Sequence, residues 1–221
     1  MAEVLKFQEL DYSIRYPESI STDQKHPLVI YLHGAGGRGR DTGAIENHSI
    51  FEKVEKYCKD AVAVVPQCYA DTWFDIFEQL KAFVVAMSRM ECVDPTRVYV
   101  MGASMGGYTT WQIGMSLPEI VAAIVPICGG GMYWNAGRLK NTGVWAFHGR
   151  LDHVVSCSES EKMVEAVNQK GGTAKLTIYE GVKHDSWVPA QDCEEMWQWL
   201  LSSRLQYETT QNEYNDIVKF G

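Results

Sequence analysis

A serine lies at the centre of a short motif flanked by glycines. Residues 102–106 read Gly-Ala-Ser-Met-Gly, which matches the pattern G-x-S-x-G. The motif follows residues 97–101 (RVYVM), which predict a strand, and leads into residues 105–117, which predict a helix. A serine at the tip of such a strand–turn–helix adopts a strained backbone and presents its hydroxyl above the sheet edge, beside free N–H groups. The pattern predicts that Ser104 is a nucleophile, and a helix-capping serine in a glycine-rich turn is the alternative.

A serine nucleophile needs a general base, because its hydroxyl is weakly reactive at neutral pH. His184 lies in the sequence GVKHDSW, in the loop between the last predicted strand and the last helix, where an imidazole can reach over the sheet edge. We predict that His184 is the base, and a solvated loop histidine is the alternative. The other five histidines are His26 in a predicted surface loop, His33 beside glycines, His48 near a helix start, His148 at a strand end and His153 next to an aspartate.

A carboxylate must fix the tautomer of that imidazole. Asp152 stands in the sequence HGRLDHVV, directly after the predicted strand at residues 144–147. The chain order Ser, Asp, His is the one expected for a nucleophile on a strand–turn–helix. Asp185, adjacent to His184, is the rival, but consecutive side chains tend to diverge. We therefore predict that Asp152 is the acid.

A glycine-rich turn, residues 33–39 (HGAGGRG), follows the predicted strand at residues 28–32 (LVIYL). Small residues suit a position where the backbone approaches a ligand, so this turn could supply an oxyanion donor. Its glycines also fit G-x-G-x-x-G, but a dinucleotide site would place an acid after the next strand. That strand, residues 61–65, is followed by Pro66 and Gln67, so nucleotide binding is the weaker interpretation.

Short apolar runs alternate with longer amphipathic segments along the chain. The predicted strands are residues 4–7, 12–16, 28–32, 61–65, 97–101, 121–127, 144–147 and 174–179. The predicted helices are residues 50–59, 73–90, 105–117, 158–170 and 189 to about 205. The first two strands are expected to pair antiparallel. The others are uninterrupted Val/Ile-rich runs, which are typical of a mostly parallel sheet covered on both faces.

These elements predict one α/β domain over residues 1–206, with about eight strands flanked by helices. The polar tail at residues 207–221 is expected to fray or to dock on the body or on a partner subunit. A chain of 221 residues with 46% hydrophobic and 22% charged residues is globular, which excludes disorder, collagen and coiled coil.

Charge and cysteine content restrict the partners and the compartment. The net charge of −8 disfavours nucleic acid. No apolar run reaches the roughly 18 residues of a membrane span, so we expect no membrane-spanning helix. Charges near the start interrupt any apolar stretch there, so we expect no secretory signal. The six cysteines form no CxxC pair. We expect mostly buried, reduced thiols, a cytoplasmic location and no bound zinc.

Four stretches, LHGAGGRG, GASMGG, HGRLDHVV and GVKHDSW, together resemble the α/β-hydrolase superfamily. The resemblance extends from about Pro27 to Leu201. It is strongest to small single-domain serine carboxylesterases, which include phospholipase/carboxylesterase, dienelactone hydrolase, polyhydroxybutyrate-depolymerase-like and feruloyl-esterase-like proteins. It implies an α/β-hydrolase fold, an acyl-enzyme on the serine, and neither cofactor nor metal. It also implies oxyanion donors at the N–H groups of Met105 and Ala35, with Gly36 as the alternative to Ala35.

The resemblance also bears on the shape of the cleft. Relatives insert a cap after the strand that ends at Ile127, but here only about sixteen residues precede the next strand, so we expect an open cleft without a cap domain. Trp73, Trp134 and Trp187 fall in loops expected to rim this cleft and are candidate substrate-binding residues. An aromatic rim favours aryl or carbohydrate esters.

The sequence therefore predicts a serine carboxylesterase that acts on small-molecule esters, short-chain, aryl or carbohydrate, as a monomer or homodimer. A thioesterase or a peptidase would use the same triad, and these remain alternatives. A ligand-binding protein without catalysis on the same scaffold is the alternative of another class.

Overall fold

The computed structural model describes residues 2–18, 20 and 24–205 of the chain. Its strands join into a single eight-stranded sheet. They are β1 (Glu3–Phe7), β2 (Leu10–Arg15), β3 (His26–Leu32), β4 (Val62–Pro66), β5 (Val93–Ala103), β6 (Ala123–Ile127), β7 (Gly143–Gly149) and β8 (Ala174–Tyr179).

The sheet is mostly parallel, as predicted. Its order is β1-β2-β4-β3-β5-β6-β7-β8. The β1–β2 and β2–β4 pairs are antiparallel, and every other neighbouring pair is parallel. The carboxyl ends of β3 to β8 therefore meet at one edge, so the loops that follow these strands can converge.

Helices cover both faces of the sheet. They are α1 (Gly43–Glu46), α2 (Ile50–Tyr57), α3 (Phe77–Ser88), α4 (Met105–Ser116), α5 (Ser158–Gln169), α6 (Trp187–Gln191) and α7 (Glu194–Ser202). Short 3₁₀ helices occupy Ala35–Gly37 and Tyr133–Leu139.

The core has two layers because successive strand residues point to opposite faces. Leu28, Ile30 and Leu32 pack with α3, α4 and α5 on one side of the sheet. Val29 and Tyr31 pack with α2 and α7 on the other side. Strands buried on both faces explain the uninterrupted apolar runs of the sequence. This fold confirms the predicted α/β-hydrolase architecture.

The helix predicted at residues 73–90 begins four residues later, at Phe77. Residues 72–75 form a turn instead, in which the Asp75 carboxylate accepts hydrogen bonds from the N–H and the hydroxyl of Thr72, both at 2.8 Å. The apolar spacing that predicts a longer helix includes Trp73, which is buried outside the helix and donates its indole N–H to the carbonyl of His33.

The single helix predicted from Pro189 to about Leu205 was wrong, because α6 and α7 are separate. The backbone at Cys193 is extended, with ψ of 98°. The neighbouring Asp192 forms an ion pair with Lys53 of α2 at 2.6 Å. His26 was also misplaced, because it lies buried in β3 rather than in a surface loop.

No cap domain separates β6 from β7, because a single 3₁₀ helix fills that connection. All six cysteines are free; Cys92 and Cys193 are partly exposed and the other four are buried. Within the described residues, no helix is long and apolar enough to cross a membrane. Residue 206 and the tail at residues 207–221 lie outside the described part of the chain.

Candidate active site

Ser104 occupies a sharp turn between β5 and α4. Its φ of 57° and ψ of −118° lie in a region that residues with a side chain rarely adopt. A Cβ added to Gly102 would lie 2.7 Å from the carbonyl oxygens of Leu32 and Gly106, and one added to Gly106 would collide with the Leu32 carbonyl. The two glycines are therefore needed for the close approach of this turn to β3, which holds the strained serine in place.

Ser104, His184 and Asp152 lie in contact in series, although they come from three distant stretches of the chain. The Nε2 atom of His184 lies 2.9 Å from the Oγ atom of Ser104. The Nδ1 atom of the same ring lies 2.7 Å from Oδ2 of Asp152. Because the carboxylate accepts only, the neutral ring carries its proton on Nδ1 and leaves Nε2 free to accept the serine proton. The structure thus pairs His184 with Asp152 and not with the rival Asp185.

The Asp152 carboxylate is buried and held by several donors. Its Oδ1 atom accepts hydrogen bonds from the N–H groups of Val154 and Val155 at 2.8 and 2.9 Å. Burial alone would raise the pKa of Asp152, but the hydrogen bonds from His184, Val155 and Val154 outweigh burial and hold this pKa below its ordinary value. Asp152 is therefore ionised at neutral pH and can stabilise an imidazolium at His184.

A second imidazole, that of His148, touches the same carboxylate. Its Nε2 atom lies 3.3 Å from Oδ2 of Asp152 and 3.0 Å from the carbonyl oxygen of Val155. Its Nδ1 atom lies 2.7 Å from Oγ of Ser160. The His148 side chain is fully buried, and burial lowers its pKa. The sequence reasoning did not assign this contact, although the short spacing in HGRLD was a usable signal.

The glycine-rich turn after β3 lies directly against the serine. A Cβ added to Gly34 would be 3.5 Å from Cβ of Ser104. Ala35 opens the 3₁₀ helix that follows, and Met105 opens α4, so the N–H groups of both residues lack partners within their own helices. Met105 directly follows Ser104 in the chain, and Ala35 and Gly36 both line the pocket beside Ser104, so the oxyanion role of these N–H groups stays a prediction.

His33 fixes the shape of this turn instead of taking part in the Ser104 contact. Its Nδ1 lies 2.8 Å from the carbonyl oxygen of Gly34, and its Nε2 accepts the N–H of Cys68 at 3.0 Å. Gln67 donates to the carbonyl of Gly39 at 3.0 Å, so this side chain stabilises the turn that a dinucleotide site would use. Burial lowers the pKa of His33.

A pocket of about 460 Å³ opens beside Ser104. Its lining includes Ser104 and His184, and also Tyr31, His48 and Gln191. Trp187, the first residue of α6, also lines the pocket, and its ring packs edge-on against the His184 imidazole at 5.6 Å between centroids. Of the three predicted substrate-binding tryptophans, Trp187 is the one in this lining.

The expectation that Trp73 rims the pocket was wrong, whereas the role of Trp134 stays a prediction. Trp73 is fully buried, and its Nε1–H donates to the carbonyl of His33 at 3.0 Å. It supports the turn from below and cannot touch a substrate. Trp134 is 67% exposed and packs edge-on against Tyr133, outside the lining of the Ser104 pocket.

Among the described residues, one group of side chains could hold a metal ion. This group shares Asp152 and His184 with the Ser104–His184–Asp152 contacts. Ligand atoms of Cys128, Asp152 and His184 lie within 4.8 Å of one another. Burial raises the pKa of the Cys128 thiol to about 12, so it is protonated at neutral pH and is a poor ligand. Asp152 and His184 already satisfy each other. The donor set fits a proton-transfer series better than a metal site.

Comparison with known proteins agrees with the fold and with this site. Residues 23–207 match the dienelactone hydrolase family, which belongs to the α/β-hydrolase superfamily. The chain belongs to this family. Among curated proteins, feruloyl esterase B of Piromyces equi is 27% identical over 124 residues, which cover 51% of this chain and 23% of that protein.

Solved structures give the same result. The crystal structure of a thermostable esterase is 29% identical, with a TM-score of 0.79, and covers 92% of this chain and 63% of its own. Porphyromonas gingivalis dipeptidyl peptidase 4 is 14% identical, with a TM-score of 0.73, over 92% of this chain and 35% of that one, and shows the fold alone. The chain thus spans less than two thirds of these relatives.

Proposed function

We propose that this protein is a serine carboxylesterase whose catalytic triad is Ser104, His184 and Asp152. The observation that carries the proposal is the unbroken series from the Ser104 hydroxyl to the His184 ring at 2.9 Å and on to the Asp152 carboxylate at 2.7 Å. Membership of the dienelactone hydrolase family and the esterase relatives support the reaction class.

In the first half-reaction, the Ser104 oxygen attacks the acyl carbon of the ester while His184 Nε2 accepts the hydroxyl proton. The ionised Asp152 stabilises the imidazolium that forms. The carbonyl oxygen becomes an oxyanion, which the N–H groups of Ala35 and Met105 bind, an effect worth roughly 3–4 kcal/mol per donor. The tetrahedral intermediate then expels the alkoxide, which takes the proton from His184 and leaves as the alcohol. An acyl-enzyme on Ser104 remains.

In the second half-reaction, water attacks the acyl-enzyme and His184 takes one of its protons. The intermediate collapses, Ser104 recovers its proton from His184, and the carboxylic acid leaves. The short β6–β7 connection and the pocket beside Ser104 suit small esters that reach Ser104 directly. The Trp187 ring beside His184 favours an aryl group among them.

The test is hydrolysis of p-nitrophenyl butyrate by the Ser104→Ala variant. We expect kcat to fall at least about a thousandfold, because the nucleophile is lost while the fold is kept. Ser202→Ala is the matched control, because this exposed hydroxyl near the end of α7 lies elsewhere in the chain. A Ser104→Ala variant that retains more than a few per cent of wild-type activity would refute the assignment.

The same triad would serve a thioesterase or a peptidase, and the fold is shared with a dipeptidyl peptidase. Amides are harder to cleave, and the short β6–β7 connection provides no domain that selects peptides. Turnover of an ester, a thioester and an amide that share one acyl group separates the three activities. A binding protein without catalysis would cleave none of them.

A further inference from the structure

The lining of the pocket beside Ser104 includes a buried polar pair. Tyr31 of β3 and Gln191 of α6 are each 3% exposed, yet both line the pocket beside Ser104. The Nε2 atom of Gln191 donates to the Tyr31 hydroxyl at 3.0 Å. These two side chains play no part in the proton transfers of the proposed reaction.

This pair has a hydrogen-bond donor left over. When the Gln191 amide donates to the phenol oxygen, the Tyr31 O–H proton is still available. When the amide is turned by half a rotation, Tyr31 donates to its oxygen and the NH₂ group is available instead. Both arrangements leave an N–H or O–H group on a residue that lines the pocket. A buried donor without an acceptor is costly, so a ligand atom that accepts this bond is favoured.

The His48 imidazole, which lies next to the pair, supplies a further donor. The His48 ring packs on the Tyr31 ring at 4.6 Å between centroids, and it lines the same pocket. Its Nδ1 accepts the N–H of Ile50 at 3.2 Å, so the proton of the neutral ring lies on Nε2. Burial, and then the neighbouring His33, lower the pKa of His48 to about 4, so the ring is uncharged at neutral pH.

No cation offsets a negative charge in this pocket. Along the described chain, the pocket lining includes no Lys, Arg, Asp or Glu side chain. The ionised Asp152 lies directly behind His184, and the whole chain carries a net charge of −8. A carboxylate bound here would lose its hydration without gaining an ion pair.

From this juxtaposition we infer that the pocket selects esters carrying an uncharged oxygen acceptor, such as a ketone, ether or hydroxyl, which binds to Tyr31 and Gln191. The pocket rejects esters that carry a carboxylate at that position. The inference rests on the proposed esterase function. The acceptor can belong to the acyl part or to the alcohol part of the ester, and the two series of esters below distinguish these two cases.

The test compares two series of esters that differ only in one para substituent. The acyl series is p-nitrophenyl 3-phenylpropanoate with para hydrogen, acetyl or carboxylate. The alcohol series is 2-phenylethyl acetate with the same three substituents. In at least one series, we expect kcat/KM for the acetyl compound to exceed that for the hydrogen compound by about fivefold or more. The carboxylate compound should be at least about tenfold poorer than the hydrogen compound.

Variants of Tyr31 and Gln191 test whether these two side chains cause the preference for the acetyl esters. Tyr31→Phe removes one oxygen, and Tyr31→Phe/Gln191→Met removes both polar groups at similar volume. We expect the acetyl-to-hydrogen ratio to fall in the first and to fall at least about threefold in the second. Tyr99→Phe is the matched control, because this buried tyrosine on β5 donates its hydroxyl to Ser203 and lies outside the pocket lining. Near-UV circular dichroism verifies that each variant is folded.

Two results would overturn the inference: acetyl and hydrogen esters cleaved equally in both series, or a folded double variant that keeps the wild-type ratio. Binding of the same esters to Ser104→Ala, measured by calorimetry, tests the pocket without turnover. If no ester is cleaved, the proposed function fails, but the order of binding affinities still decides whether the pocket prefers the uncharged acceptor.

Discussion

Asp152 lies between two serine–histidine pairs that follow the same residue order and have opposite surroundings. The pocket series consists of Ser104, His184 and Asp152, and the interior series consists of Ser160, His148 and Asp152. In each, an imidazole nitrogen faces Oδ2 of Asp152 and the other nitrogen lies within 2.9 Å of a serine hydroxyl. The order serine, histidine, aspartate is therefore common to the two series, although the two rings use opposite nitrogens and the Ser160 hydroxyl donates to the carbonyl of Gly129 at 3.0 Å.

The two series differ clearly in their surroundings. Ser104 stands on a strained turn at the pocket, next to the N-terminus of α4, whereas Ser160 lies inside α5 and is fully buried. The His184 side chain is 21% exposed and that of His148 is not exposed at all. A substrate can reach the first hydroxyl and not the second. Under the proposed function, access, backbone geometry and nearby oxyanion donors are what make the pocket series catalytic and leave the interior series structural.

Asp152→Asn breaks both series at once and should have the largest effect of the changes outside the nucleophile itself. The asparagine keeps the shape, but it can donate to His184 and so favours the wrong tautomer, and it cannot stabilise the imidazolium. We expect kcat to fall about a thousandfold or more. The measurement is steady-state hydrolysis of p-nitrophenyl butyrate, with Asp185→Asn as the matched control. A loss confined to KM, or an equal loss in the control, would contradict the role of Asp152.

His148→Leu separates the interior series from the pocket series. Removal of the His148 donor leaves Asp152 more basic, which strengthens its bond to His184 and favours the imidazolium. We expect the acid limb of the kcat/KM profile to move to higher pH, so that kcat/KM falls by up to about tenfold on the acid side of the profile and changes little above it. His148→Gln can still donate from its amide and should restore much of the profile. A uniform loss of activity with an unchanged pH profile in both variants would show that His148 is merely structural.

Much of the pocket series follows from the sequence. Ser104 is identified by its glycine-flanked turn, and His184 and Asp152 by their positions after parallel strands, because one sheet edge collects those loops. The interior series does not follow in the same way. That His148 reaches the carboxylate depends on the fold of the HGRLD turn and on the packing of α5 against it.

Long-range contacts decide the other features that sequence patterns cannot show. Trp73 fits a helical apolar stripe, but it is buried because the His33 carbonyl accepts its indole N–H. The break between α6 and α7 places Asp192 against Lys53 of α2, a partner distant in the chain. Periodicity reports which residues avoid water, and it does not report which distant group satisfies them.

Acidification should destabilise the protein, and His148 of the interior series should contribute together with His33 and His48, whose pKa values burial also lowers. Burial lowers the pKa of His148 below its ordinary value of 6.5, so the unfolded chain binds more protons than the folded chain once the pH falls below about 6.5. The free energy of unfolding should therefore decrease from pH 6.5 downward. The Asp152 contribution, present above its ordinary pKa of 3.8, should be lost at still lower pH.

Urea unfolding from pH 7 to pH 4 measures this effect. His148→Leu should show a smaller decrease than the wild type, because one buried imidazole no longer takes up a proton on unfolding. His153→Gln, which changes an exposed histidine, is the matched control. A wild-type stability that rises on acidification, or a His148→Leu slope equal to that of the wild type, would contradict this account.

The most direct test of the catalytic role of the pocket series is to find where a fluorophosphonate reacts. The probe is incubated with the wild type, Ser104→Ala and Ser160→Ala, and the adduct is mapped by peptide mass spectrometry. We predict a single adduct on Ser104 in the wild type, the same adduct in a folded Ser160→Ala variant, and none in Ser104→Ala. A wild-type protein that does not react, or an adduct that persists in Ser104→Ala, would contradict the claim that Ser104 is the nucleophile.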